Sequence, residues 1–438
     1  MEKVPGPPVD SLAPEEEGVV RPRSSRDIRR ENRFDLLRRV YSAERAVTRQ
    51  WLAAETGLSP ATVATLTTEL LALGVLVEVG REDSGGGRPR ARLAVNGDHG
   101  VLVGVDVAET YVRADLFDLA LRGLDSGHRE IGPEDHQPDV VARHVVDLVR
   151  GIFDRGRLTR DRLLGIGVSL PGQRHTDSGV SLFPAVTGAY EDGDPEGRFR
   201  GLLADAFGSE PFLENPLKAS TVAELWFGGG RAAHDLAVVT LGTGVGVGIA
   251  VDQRLYRGAT DAAGEWGHTL LVPGGRTCRC GRTGCVEAYV GAPGIVATLR
   301  EHDPRDPLLH ADESATVDAL ASAAGRDDPR ALAVLDEVGA TLGVALANLV
   351  NVLNPDTVVL GSWVATRLGR WLLPAARDGA ATHALPRNLA AVDWRLSGVE
   401  GHAVSLGVAA LALEGLVAGG PSAAPRRDPV PTTAHRER

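Results

Sequence analysis

The chain has 438 residues, of which 43% are hydrophobic and 24% charged, and it carries a formal net charge of −11. That length accommodates two or three domains with cores of their own. The lack of an unbroken apolar run of ~18 residues and of a charged-then-apolar leader argues against the membrane and secreted classes, so a cytoplasmic protein is expected. An acidic chain is an unpromising nucleic-acid binder as a whole, but fourteen arginines stand against nine acids between Arg21 and Arg92, so charge is segregated and the N-terminal part remains open to DNA.

Residues 1–24 are rich in Pro, Glu and Ser, lack apolar periodicity and are expected to be disordered. From Asp27 onward, Ile28, Phe34, Leu36, Leu37, Val40 and Tyr41 recur at helical spacing among arginines. A second helix starts after Thr48, a good N-cap, with Arg49 at its head, and stops at Gly57. Ser59 caps a third helix and Pro60 takes its first position; Val63, Leu66, Leu70 and Leu73 form its apolar face up to Gly74. VLVEVG and ARLAV then read as paired strands around the basic loop REDSGGGRPR. Residues 25–96 therefore read as a winged helix-turn-helix. A helix that enters a major groove needs short side chains near its start, which Ser59, Ala61, Thr62 and Thr65 supply, while Arg88 and Arg90 on the wing are placed to reach phosphate or the minor groove. The same elements would also suit a small helical bundle for protein contacts; their order and the local positive charge favour double-stranded DNA.

Gly97 to Gly100 separates this module from an α/β region. VLVGVDVA and VRADLFDL read as strands, VVARHVVDLVRGIFDRG as a long amphipathic helix, and LLGIGVSL as a buried strand ending at Pro171 and Gly172. DLAVVTLGTGVGVGIAVD is a second strand-rich start. Two such starts suggest a duplicated, two-lobed α/β actin-like fold over 97–418, with a cleft between a first lobe of about 97–213 plus the C-terminal helix and a second of about 214–400. In that cleft Gly242, Thr243, Gly244 and Gly246 would offer backbone N–H groups to phosphate, although glycine there equally permits tight turns. VLDEVGATLGVALANLVNVLNP reads as a helix ended by Asn354 and Pro355, DTVVLG as a buried strand and HAVSLGVAALALEGLV as a closing helix; 419–438 should be a disordered tail.

All three cysteines, Cys278, Cys280 and Cys285, lie within one short loop, with His268 just upstream. Three thiolates and an imidazole suit a tetrahedral Zn²⁺ with no position left for water, hence a structural ion. A redox pair or plain buried thiols would be the alternatives. The odd count and the close Cys-x-Cys spacing count against a disulfide.

SRDIRRENRFDLLRRV, LSPATVATLTTELLALGVLVE, GGGRP, TLGTGVGVGIAVDQRLYRG, GEWGH, CRCGRTGCVEAY and NLVNVLNPDTVVLG together resemble the ROK family, from about Asp27 to Gly415. That family contains sugar kinases of the sugar kinase/hsp70, ribonuclease H-like type and sugar-responsive regulators with an added winged helix. The resemblance implies structural zinc at His268, Cys278, Cys280 and Cys285, and sugar-hydroxyl contacts from Asn215, Glu265, His268 and Glu287. Carboxylates suit that role because each accepts two O–H bonds in a fixed plane. It also implies that the last helix packs on the first lobe.

Two departures separate this chain from the kinases of the family. Where those carry Asn-Asp, with the aspartate as general base, this chain has Asn215 followed by Pro216, and proline accepts no proton. Where they carry Asp-x-Gly-Gly-Thr, it has Asp106, Val107, Ala108, Glu109 and Thr110; both glycines are lost and Glu109 would repel phosphate. Lys218, expected to be exposed and so protonated, is no substitute base. The expectation is a catalytically dead kinase domain used as the sensor of a repressor, forming a homodimer or tetramer that presents paired winged helices to an operator, with the helix from Asp27 as lever. An active ATP-dependent sugar kinase with a fused DNA-binding domain is the alternative.

Overall fold

The computed structural model describes residues 25–43, 45–82, 89–171, 174–175, 179–180, 195–399 and 401–419. Segments 1–24 and 420–438, both expected to be disordered, lie outside the described residues, as do Arg88 and the loop 83–88 that carries it.

The N-terminal part contains α1 (Ser25–Ser42), β1 (Val47–Thr48), α2 (Arg49–Thr56), α3 (Pro60–Ala72) and the strands β2 (Leu76–Glu82) and β3 (Arg90–Val95). Local chemistry sets the helix ends. The Thr48 side chain accepts the Trp51 N–H, Gly57 takes a left-handed conformation at φ 66°, and the Ser59 side chain accepts the Thr62 N–H with Pro60 in the first turn. β2 and β3 pair antiparallel, and β1 adds to the other edge of β3. Two residues are too few to show a period, which is why β1 escapes sequence reading. Leu36, Leu37, Leu52, Val63, Leu66, Leu70 and Leu93 fill the space between the helices and the sheet.

Two five-stranded sheets follow, built on one plan. In the first, β4 (Val101–Val107), β5 (Tyr111–Asp118) and β6 (Gly123–Glu130) run antiparallel, and after α4 (Pro138–Gly156) β7 (Leu163–Ser169) lies parallel to β4. A small ribbon of β8 (Arg174–His175) and β9 (Gly179–Val180) and the helix α5 (Pro195–Phe207) lead to β10 (Phe212–Glu214), parallel to β7. The order is β10-β7-β4-β5-β6.

The second half opens with α6 (Pro216–Phe227) and the antiparallel β11 (Leu236–Leu241), β12 (Val245–Val251) and β13 (Arg254–Leu255). Then come α7 (Glu287–Val290), α8 (Ala292–His302), α9 (Glu313–Ala324), α10 (Pro329–Leu353), β14 (Thr357–Gly361), α11 (Ser362–Ala381), α12 (Pro386–Ala390) and β15 (Asp393–Leu396). β14 is parallel to β11 and β15 to β14, giving β13-β12-β11-β14-β15. Reading outward from the first strand, the two orders are identical: a duplicated actin-like architecture. The central strand β4 is buried along its whole length, which fits its unbroken apolar run. β6 is an edge strand of alternating exposed and half-buried residues, and its polar sequence GLDSGHRE gave no strand signal. By length and composition α10 could cross a membrane, but Val334, Leu335, Leu342 and Leu346 are spent in the core of the second lobe.

The last helix, α13 (Ala403–Gly419), lies on β4 and β7 of the first lobe and crosses α6. The crossing is made at the backbone: a Cβ on Gly407 would stand 1.9 Å from the Ala219 carbonyl oxygen. The core of the N-terminal module runs on into this junction. Trp226 of α6 is buried, and the rings of Phe34 and Tyr41 from α1 lie 5.3 and 5.2 Å from it.

Candidate functional site

The stretch after β13 turns through a short helical segment, Glu265–His268, packed so tightly on β12 that a Cβ on Gly267 would lie 2.0 Å from the Val245 carbonyl oxygen. Leu270 bridges to Cys285 and Thr277 to Thr283, closing a small knuckle in which Gly281 and Gly284 take φ of 82° and 79°. His268 Nδ1 and Cys278 Sγ are 3.7 Å apart, Cys280 Sγ and Cys285 Sγ 3.8 Å apart, and all four donor atoms lie within 4.8 Å of one another. Zn–S bonds of ~2.3 Å in a tetrahedron put the donors ~3.8 Å apart, so the set fits that ion. Desolvation, with the Cys280 thiol and the Glu287 carboxylate beside it, pushes the Cys278 thiol up to about 12, a cost that a bound dication would remove. A zinc ion held here by four protein donors would fix the loop and supply no open catalytic position.

The same imidazole faces two ways. Its Nδ1 points to the thiol cluster, while Nε2 is 3.9 Å from Glu265 Oε2. Glu287 is nearly enclosed: Oε2 accepts the Val245 N–H at 3.0 Å and Oε1 lies 3.4 Å from Cys278 Sγ. It thus joins the cysteine loop to the glycine-rich turn 242–244. Asn215 is the cap of α6, its Oδ1 accepting the Leu217 N–H at 2.8 Å with Pro216 in the first turn. The glycines of β12 have packing reasons of their own. A Cβ on Gly246 would strike the Leu217 side chain at 2.5 Å, and one on Gly248 would be 1.6 Å from Thr221 Oγ1. Gly242 lies against the indole Nε1 of Trp363, and its N–H donates to the Gly244 carbonyl within the turn.

Ion pairs that sequence reasoning missed surround this region, two of them reaching the first lobe. Arg279, between two of the cysteines, reaches Glu109 of the first lobe at 3.2 Å and lies 3.9 Å from Glu287, so Glu109 is paired and not left facing an open loop. Lys218 corrects the expectation of an exposed side chain: it is buried, 3.0 Å from Asp261 and also bonded to the Asp261 carbonyl. Arg257 bridges Asp261 at 3.0 Å and the fully buried Glu214 at 2.7 Å. Arg279 and Glu109, Lys218 and Asp261, and Arg257 and Glu214 are far apart in sequence, so no local pattern announces them. Asp106 is buried and accepts the Tyr111 hydroxyl at 2.9 Å; desolvation raises its carboxyl to about 6.

On the N-terminal module Ser59, Ala61 and Thr65 are exposed on α3, Thr62 is half-buried with its hydroxyl 2.8 Å from that of Ser59, and Arg90 is exposed at the head of β3. Arg49 is turned toward its own module, donating to Thr67 Oγ1 at 2.9 Å and standing 3.7 Å from Glu78.

The sequence profile of the ROK family matches residues 102–414. A xylose repressor of Caldicellulosiruptor bescii is 27% identical over 368 residues, covering 82% of this chain and 90% of that protein. A glucokinase of Halalkalibacterium halodurans is 30% identical over 302 residues, covering 67% of this chain and 89% of that protein. Among solved structures, a ROK family transcriptional regulator described as a homologue of the Escherichia coli Mlc protein superposes with a TM-score of 0.71 at 22% identity, over 89% of this chain and 98% of its own.

Proposed function

Because the chain belongs to the ROK family, we propose that it is a sugar-responsive, DNA-binding repressor whose kinase-like domain senses its effector and transfers no phosphate. The observation that carries this reading is the reach of the similarity. The match to the xylose repressor is longer than the stretch from residue 102 to the C terminus and so runs into the N-terminal module, whereas the match to the glucokinase is shorter than that stretch. The three helices and basic hairpin of residues 25–96 act in this reading as a winged helix-turn-helix, with Ser59, Ala61, Thr62 and Thr65 serving base edges and the wing residues Arg88 and Arg90 serving phosphate or the minor groove, while Arg49 would have to release Thr67 and Glu78 to join them. Asn215, Glu265, His268 and Glu287 bind sugar hydroxyls, and zinc on His268, Cys278, Cys280 and Cys285 holds their wall of the cleft.

Loss of kinase activity rests on three features. Pro216 offers no base, Asp106 is enclosed on Tyr111, and the Val245 N–H beside the glycine turn is already given to Glu287. The carboxylates of Glu109 and Glu287 around the single Arg279 favour an uncharged sugar over a phosphorylated one. Two copies of the chain would present two modules to a two-fold operator.

The test is binding of the full-length protein to DNA from around its own gene, titrated with salt and with xylose, glucose and N-acetylglucosamine. A specific complex that one sugar strengthens or weakens supports the reading. In that assay Glu265→Ala should bind DNA normally and lose the sugar response; an undiminished response would move the effector site elsewhere. Sugar-dependent ATP consumption without a specific DNA complex would make the protein a kinase.

A further inference from the structure

α1 touches both lobes. On the first, Arg33 Nη1 donates to the Val417 carbonyl in α13 at 2.8 Å, and the Tyr41 hydroxyl donates to the carbonyl of Leu119, just past β5. On the second, Arg38 Nη1 donates to Gln253 Oε1 at 3.1 Å, and Arg254 spans two acids one helical turn apart, Asp35 at 2.7 Å and Glu31 at 3.3 Å. A helix pinned to two bodies cannot keep both sets of contacts if the angle between them changes.

The second anchor is stiff and leads straight to the cleft. Asp252 and Gln253 occupy the β12–β13 turn with φ of 50° and 62°, the paired left-handed geometry of a tight hairpin, here without glycine. The turn is held by the Gln253 N–H to the His234 carbonyl at 2.8 Å and the Asp252 N–H to Asp235 at 3.1 Å. Just beyond Arg254, Arg257 grips the buried Glu214, the residue before Asn215, and through Asp261 it shares Lys218 of α6. The chain then runs into Gly264 and Glu265. Arg257 therefore links the residue before Asn215 to the segment that leads to Glu265, and the same short segment grips α1 at Arg254.

We infer that α1 reads the angle between the lobes, and that Arg254 is the positioning residue through which occupation of the cleft changes the placement of the DNA-binding module. This rests on the sensor reading above. The Arg254 pairs are half-exposed and so add little to stability, which lets the fold survive their removal. Their value is geometric.

The experiment measures operator affinity of the full-length protein with and without whichever of xylose, glucose or N-acetylglucosamine shifts the wild type, for Arg254→Gln, Arg254→Glu and the swap Arg254→Asp with Asp35→Arg. A wild-type response of about tenfold is typical of such coupling. We expect both single variants to bind DNA alone and sugar alone as the wild type does, with the response reduced to less than about twofold, and the swap to restore most of it. A full response in both single variants overturns the assignment. So does a lost response that the swap leaves lost, since the ion pair would then not be the carrier. A wild type that no sugar affects, in the presence of a specific DNA complex, overturns the sensor reading instead and is told apart by the wild type alone.

Discussion

At the scale of single residues Asp106, near the end of β4, is a buried acid with a measurable signature. Desolvation keeps Asp106 protonated up to about 6 in the folded chain, against an ordinary 3.8. Below the lower value both folded and unfolded forms carry the proton. As pH rises from about 4 to about 6 the unfolded chain releases it first, so stability falls by up to about 3 kcal/mol and is then flat. Asp106→Asn keeps an acceptor for Tyr111 and has nothing to ionise. It should be more stable than the wild type at pH 7, with the gap closing toward pH 4, as read from urea midpoints; a gap independent of pH would contradict it. Cys280→Ser should lose bound zinc by metal analysis and weaken sugar binding before DNA binding, while unchanged metal content would show the four donors are not a set. The His268, Cys278, Cys280 and Cys285 cluster was legible in the sequence because it sits within one local loop, and the residue types and spacing suit a metal ion. Arg279 with Glu109 and Arg257 with Glu214 were not, because nothing in a linear sequence marks which distant charge a buried one meets.

At the scale of elements the helix boundaries are written in residue types. Thr48, Gly57, Ser59 and Pro60 each do in the structure what their side chains or backbones allow: α2 begins and ends, and α3 begins, where those residues stand. Ser59→Ala should cost about 1 kcal/mol in the N-terminal module, and its thermal midpoint is the check. Strands without an apolar period, β1, β6 and β13, were invisible because edge position and pairing define them. α6 shows the opposite lesson. Its sequence showed Pro216 at the first position but not the helix's fit, in which Thr221 and Leu217 occupy the room left by Gly248 and Gly246. Gly248→Ala should force strand and helix apart and destabilise the protein by about 1–3 kcal/mol or more, measured by chemical unfolding. A neutral result would mean that α6 does not pack as described.

At the scale of the whole molecule one strand plan is used twice, and the two copies meet where α6 crosses α13. The duplication was legible as two strand-rich starts, while the equal strand order was not, since the third and fifth strands of each sheet are short or polar. The N-terminal module is no bead on a string: Phe34 and Tyr41 share the Trp226 core with α6, and α1 is hydrogen-bonded to both halves. That shared helix has a thermodynamic corollary. If, as proposed, sugar alters operator affinity by some factor, operator must alter sugar affinity by the same factor, because binding free energies are linked reciprocally. Sugar titrations in the presence and absence of saturating operator should therefore differ by the ratio found in the DNA titrations. The sugar concentration that trips the switch is then a property of the promoter as well as of the cleft, and one protein would set different thresholds at operators of different strength.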